Sequence, residues 1–169
     1  MSKIAIVTGG SSGIGKCTAG ALIDAGCKVW EFSRRESDVP GINHISVDVT
    51  DPEQVDSAVK RILAEDGRID IVINNAGFGI SGAAEFTENA DAKKLIDVNV
   101  FGMVNMSKAV IPIMREQGAG RIVNLSSVAA IAPIPFQSWY TVTKAAVNGY
   151  TMALANEVRP FGITVCAVM

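Results

Sequence analysis

Thr8-Gly9-Gly10-Ser11-Ser12-Gly13-Ile14-Gly15 joins a short β-branched run at 3–8 to a stretch rich in Ala, Leu and Ile at 13–25, which stops before Gly26. The first run reads as a strand. The second reads as a helix with a glycine at its C-terminal cap. Without a Cβ, the backbone of the intervening loop can turn sharply and let an anion approach the free N–H groups at the helix start. The helix dipole adds partial positive charge at that point. Between a first strand and a first helix, this arrangement points to the diphosphate of a dinucleotide. Its spacing, Gly-x-x-x-Gly-x-Gly, differs from the commoner Gly-x-Gly-x-x-Gly fingerprint. The loop also lacks the Gly-Lys-Ser/Thr ending that ATP hydrolysis would require.

Outward from this turn, strand and helix signals alternate to the end of the chain. Further strands are expected at 28–33, 45–49, 69–74, 121–126 and 163–168. A helix at 51–66 opens with Asp51 as cap and Pro52 at its first position, and carries Val55, Val59, Ile62 and Leu63 on one face. Residues 89–117 read as one long helix or two shorter pieces, and 138–158 as a helix that ends before Pro160. Strands apolar on both faces, separated by helices, pair in parallel beneath helices on both sides. The expected fold is α/β: one Rossmann-type, doubly wound parallel sheet spanning residues 1–169, with its ligand crevice beyond the carboxyl ends of the strands.

Composition narrows the function. With 15 basic and 17 acidic residues among 169, the formal charge is −2, which removes the strong basic footprint of a nucleic-acid binder. No apolar run approaches the roughly 18 residues needed to cross a bilayer. The short apolar start is not a signal peptide. Cys17, Cys27 and Cys166 have no metal-binding spacing and are expected as reduced, mostly buried thiols of a cytoplasmic protein. His44 is the single histidine, so neither a metal centre nor histidine catalysis is expected.

The strand ends supply the remaining chemistry. The second ends in Ser33-Arg34-Arg35, with no carboxylate at the tip to take a ribose 2′-hydroxyl. Glu31 stands earlier in the strand, where alternation directs it elsewhere. Arg34, with Ser33 and Arg35, suits a 2′-phosphate, which favours NADP(H) over NAD(H). Asp48 ends the third strand and could accept a hydrogen bond from the adenine amino group. The fourth ends in Asn74-Asn75-Ala76-Gly77, whose small residues let backbone pack against a flat ring, though either asparagine could be structural. Beyond Ser126 and Ser127, Tyr140 and Lys144 share one helix face at i and i+4. A cation beside a phenol favours phenolate, and a tyrosine so placed can act as general acid or base.

Together these residues resemble the short-chain dehydrogenase/reductase family, in its short single-domain branch. The motifs are the glycine turn at 8–15, Asn74-Asn75-Ala76-Gly77, Asn99 within Asp97-Val98-Asn99-Val100, Ser127, and Tyr140-x-x-x-Lys144. The resemblance implies that Tyr140 exchanges a proton with a substrate carbonyl or alcohol and that Ser127 holds that oxygen. Lys144 would touch the nicotinamide ribose, and Asn99, within a helix, would hold a water linking Lys144 to solvent. Gly9, Ser11, Ser12, Gly13, Ile14 and Gly15 would follow the diphosphate. Asp48 and Val49 would face adenine, and Asn75, Ala76 and Gly77 would line the cofactor's path.

Residues 78–80 and 131–139, with Phe136 and Trp139, would border an apolar small-molecule carbonyl or alcohol. The implied activity is NADP(H)-dependent interconversion of a ketone and a secondary alcohol. Alternatives are a non-catalytic dinucleotide-binding or regulatory module, or an epimerase or dehydratase with tightly held cofactor. A homodimer or homotetramer through the helices at 89–117 and 138–158 is implied. In that family the sixth strand continues into a substrate loop and a further strand, so an incomplete C-terminus is expected here.

Overall fold

The computed structural model describes residues 2–169. Among these residues six strands form one parallel sheet: β1 (Ile4–Thr8), β2 (Lys28–Ser33), β3 (Asn43–Ser46), β4 (Ile71–Asn74), β5 (Gly120–Leu125) and β6 (Ile163–Val168). Their spatial order is β3-β2-β1-β4-β5-β6. The order reverses between β1 and β4, which opens a crevice at the carboxyl ends of those strands.

Five α-helices connect the strands: α1 (Gly13–Asp24), α2 (Pro52–Asp66), α3 (Asn89–Ile96), α4 (Gly102–Gln117) and α5 (Ser138–Val158). On one sheet face Ile6, Trp30, Phe32 and Ile122 pack with Val59 and Ile62 of α2, Val110 of α4 and Leu154 of α5. On the other, Ala5, Val7 and Val29 meet Ala19 of α1. The central strand β1 is buried along its whole length, so helices on both faces are a requirement of its sequence. Asp51 caps α2 by accepting from the N–H groups of Glu53 and Gln54, Pro52 takes the first position, and Gly67 closes the helix at φ 72°. Among the described residues no helix is long and apolar enough to cross a membrane.

Two expectations change. The edge strand β3 starts at Asn43 and ends at Ser46, earlier than the expected 45–49. Asn43 bonds to the Val29 carbonyl and His44 to Glu31, so polar residues there satisfy the strand, while Asp48 turns its N–H to the Gln54 side chain. Of the two forms expected for residues 89–117, the structure takes the second: two helices separated by a π-helical turn, Asp97–Phe101. The cysteines are not mostly buried: Cys17 and Cys166 are exposed and Cys27 is intermediate. Cys166 pairs in register with Val123, on β6 positions that alternate between exposed and partly covered.

Candidate functional site

At the end of β1, Gly9 and Gly13 adopt φ of 67° and 55°, the left-handed region that glycine enters without strain. Thr8 locks this turn to the end of β4. Its Oγ1 accepts from the N–H groups of Asn75 (3.0 Å) and Ala76 (2.9 Å), while the Asn75 amide donates to the carbonyls of Thr8 (2.9 Å) and Gly9 (3.1 Å). Gly15 lies behind the turn. A Cβ there would stand 2.4 Å from both Asn75 Nδ2 and the Gly9 oxygen, so Gly15 permits close packing of α1 against the turn. Thr8 was not singled out by sequence reasoning; a lone threonine at a strand end carries little signal, although its position opposite Asn75 gives it the work of joining two loops.

A cavity of about 490 Å³ runs along the carboxyl ends of the strands. At one end it is bordered by Ser33, Arg34, Asp48 and Val49, in the middle by Gly9, Ser11, Ser12, Gly13 and Ile14. Asn75, Ala76 and Gly77 follow, and Tyr140 and Lys144 close the far end. Asp48 Oδ1 accepts from the Thr50 hydroxyl at 2.7 Å and from its N–H at 3.0 Å. These bonds, the hydroxyl's above all, hold the Asp48 carboxyl below the usual range, with the charge of Arg34 adding to them. Asn74 instead spends its amide on Asn124 (2.8 Å), which in turn donates to Thr151 (2.9 Å), a buried brace between the sheet and α5.

Lys144 is 6% exposed and donates from Nζ to the Leu125 carbonyl at 2.6 Å. Nζ stands 5.7 Å from the centre of the Tyr140 ring, as the shared helix face requires. Burial lowers the Lys144 pKa to about 8. The Tyr140 ring packs on Gly79, where a Cβ would lie 3.6 Å from Cδ2. Ser127 caps the short turn Val128–Ala130, accepting the Ala129 N–H at 3.1 Å, which leaves its hydroxyl hydrogen to donate outward. Ser126 Oγ donates to the Lys144 carbonyl, a bracing contact.

Asn99 sits in the π-helical turn, buried. Nδ2 donates to the Phe78 carbonyl (2.9 Å) and to Thr143 Oγ1 (3.1 Å), and Oδ1 accepts from the Phe78 N–H (3.0 Å). Both amide hydrogens are thereby used in tying the loop after β4 to α5 beside Lys144. Neither Asn99 nor Ser127 borders the cavity itself, whereas the expected cofactor-lining residues other than Gly15 do.

A parallel sheet with a glycine turn at its reversal point and a Tyr–Lys helix face at the same crevice defines a dinucleotide-fold domain of the Rossmann class. Comparison with known proteins makes the assignment specific: the chain belongs to the short chain dehydrogenase family, whose model matches residues 3–169. It is 46% identical over 167 residues to a 3-ketodihydrosphingosine reductase of Bacteroides thetaiotaomicron, covering 98% of this chain and 62% of the relative's length. It is 35% identical to a 3-oxoacyl-[acyl-carrier-protein] reductase of Salmonella typhimurium, covering 98% of this chain and 71% of that one. Among solved structures it is similar to ElxO with NADP bound, at TM-score 0.94 and 32% identity, covering 99% and 72% of the two chains. It is likewise similar to a 3-ketoacyl-(acyl-carrier-protein) reductase of Brucella melitensis complexed with NADH, at TM-score 0.93 and 33% identity, covering 98% and 74%.

Proposed function

We propose that this chain is the dinucleotide-binding and catalytic part of an NADP(H)-dependent oxidoreductase that interconverts a ketone and a secondary alcohol. The observation that carries this reading is the placement of Tyr140 and Lys144 at one end of the cavity whose middle is the glycine turn. The residues fit a dinucleotide: a Cβ at Gly13 would meet nothing within 4 Å, leaving open space over exposed backbone at the start of α1. When bound, the nicotinamide supplies or receives the hydride.

Tyr140 delivers a proton to the substrate oxygen in reduction and takes it back in oxidation. Lys144, anchored on the Leu125 carbonyl, places its ammonium where negative charge would grow on the phenol oxygen. Ser127 donates its remaining hydrogen to the substrate oxygen. Asn99 holds the Phe78 backbone in place; a water held at this point would rest on the Asn99 carbonyl, since the amide hydrogens are spent.

Arg34 would grip the 2′-phosphate that distinguishes NADP(H), as no acidic residue follows Ser33 at the strand tip. Arg34→Ala is expected to weaken NADPH binding by about ten- to a hundredfold, the worth of a charge-assisted hydrogen bond, with little change for NADH. Fluorescence titration with both nucleotides measures this. An undiminished preference for NADPH would remove Arg34 as its cause.

The ammonium of Lys144 is present below its pKa of about 8 and lost above it. Activity that depends on that charge therefore falls on the alkaline side of about 8. Because the folded value lies below the ordinary lysine value, the unfolded chain binds more protons in the interval above it, and folding stability rises with pH there. Rate and melting temperature thus move in opposite directions as pH rises through this window. A profile in which both fall together contradicts the assignment.

Apolar Ile131, Ile134 and Phe136 are exposed on the loop between β5 and α5, and Phe78 on the loop after β4. Phe136 holds φ at 65°, uncommon for an aromatic residue, and its carbonyl accepts the Gly82 N–H at 2.8 Å, joining the two loops. This apolar rim supports a substrate whose ketone is carried on an aliphatic chain, in line with the 3-keto and 3-oxoacyl compounds in the relatives' names. Exposed Phe101, Val142 and Met152 support association of copies into a homo-oligomer, and the three free cysteines support a reducing, cytoplasmic setting.

A further inference from the structure

Glu31 is fully buried in β2, on the sheet face that α1 covers. The parallel register sets it opposite His44 of β3, and Glu31 Oε2 lies 2.6 Å from His44 Nδ1. The other oxygen, Oε1, is buried with no hydrogen-bond partner among the described residues. Gly10 of the glycine turn rests directly on this side chain. A Cβ at Gly10 would stand 2.5 Å from Glu31 Cγ and 3.5 Å from Oε1. The Ser37 hydroxyl also donates to the Gly10 carbonyl at 3.1 Å. The mechanism above uses neither Glu31 nor His44.

A carboxylate out of water, with one oxygen bare, is a strong local charge because little around it screens it. Here it lies beneath a turn that receives an anion. We propose that Glu31 and His44 are a positioning pair that couples dinucleotide binding to uptake of a proton, an inference that rests on the glycine turn being the diphosphate site. With a neutral imidazole the pair carries one negative charge under the turn and repels the incoming diphosphate. With an added proton it carries none. Linkage is reciprocal: binding draws in the proton, and the proton tightens binding.

Of the elements packed around the pair, β1 contributes no charged residue. Helix α1 carries Lys16 and Asp24, and the segment 34–42 carries Arg34, Arg35, Glu36 and Asp38. Lys16 is already paired with Asp38 at 2.6 Å. Among the described residues His44 alone is hydrogen-bonded to the Glu31 carboxylate.

Calorimetric titration of the full chain with NADH at neutral pH, in two buffers of different ionisation enthalpy, counts the protons exchanged. NADH is the probe because it lacks the 2′-phosphate, which titrates itself. The unaltered protein is expected to take up part of a proton on binding, and its affinity to tighten by at most about tenfold per pH unit lowered, the limit for one whole proton. His44→Gln, which keeps an amide donor toward Glu31, is expected to bind without that uptake and with a flat pH dependence. Binding by the unaltered protein with no proton uptake overturns the inference, as does uptake that persists unchanged in His44→Gln. Should a variant fail to fold, absence of uptake by the unaltered protein still overturns the inference. Failure to bind NADH or NADPH at all would be a different result, refuting the dinucleotide site itself.

Discussion

Tyr140→Phe is expected to cut ketone reduction by about 10²–10⁴-fold, the usual contribution of a positioned proton donor, while leaving NADPH binding nearly unchanged. The substitution removes one oxygen and little else. The ring still packs on Gly79, 3.6 Å from where a Cβ would stand, and Lys144 Nζ still anchors on the Leu125 carbonyl at 2.6 Å. Steady-state NADPH oxidation with an aliphatic ketone, compared with a fluorescence titration of the same sample, separates chemistry from binding. Undiminished turnover would refute the role of Tyr140. Joint loss of turnover and binding would mean that the phenol holds the site together instead of moving a proton.

Gly15→Ala carries the largest structural penalty expected near the site. The added methyl would lie 2.4 Å from Asn75 Nδ2 and 2.4 Å from the Gly9 oxygen. The Asn75 amide can swing aside only by giving up its bonds to Thr8 and Gly9, and the Gly9 oxygen belongs to the turn's own backbone. Overpacking of this kind costs about 1–3 kcal/mol or more. In a domain of this size that is about 2–4 °C of melting temperature per kcal/mol. Dinucleotide binding should fail with it, because α1 and the turn can no longer keep their spacing. Gly20→Ala is the control in the same helix: a Cβ there meets nothing within 4 Å, so a helix-favouring gain of about 0.5–1 kcal/mol is expected. Equal melting temperatures for the two variants would contradict the packing account.

The parts of the fold written in local chemistry were legible in the sequence. Asp51-Pro52 and Gly67 mark both ends of α2 by capping rules that need no distant partner, and α5 ends beside Pro160 for a similar reason. The glycine turn was legible because backbone geometry, not side-chain contact, gives it its use. What was hidden depends on partners far along the chain. The start of β3 at Asn43 and His44 looks polar until Glu31, 13 residues away, is known to lie against it. The bracing work of the Asn99 side chain is invisible until Phe78 and Thr143, 21 and 44 residues away, are seen to take up its amide. Gly15 belongs to the glycine motif by sequence, but how closely Asn75 and the Gly9 oxygen approach it depends on residues brought in from elsewhere in the chain. Cys166 looked like a core residue, since an apolar strand does not reveal which of its faces a helix will cover.

One bound dinucleotide is expected to run from the arginine end of the cavity, over the glycine turn, to the Tyr–Lys face. A crystal structure of the chain soaked with NADPH decides whether it does. Expected there are adenine beside Asp48, the diphosphate on the backbone between Gly9 and Ile14, and the nicotinamide ribose within hydrogen-bonding distance of Lys144, with the reacting ring beside Tyr140. NADPH found elsewhere on the molecule, or lying in the cavity with its nicotinamide turned away from Tyr140, would contradict it.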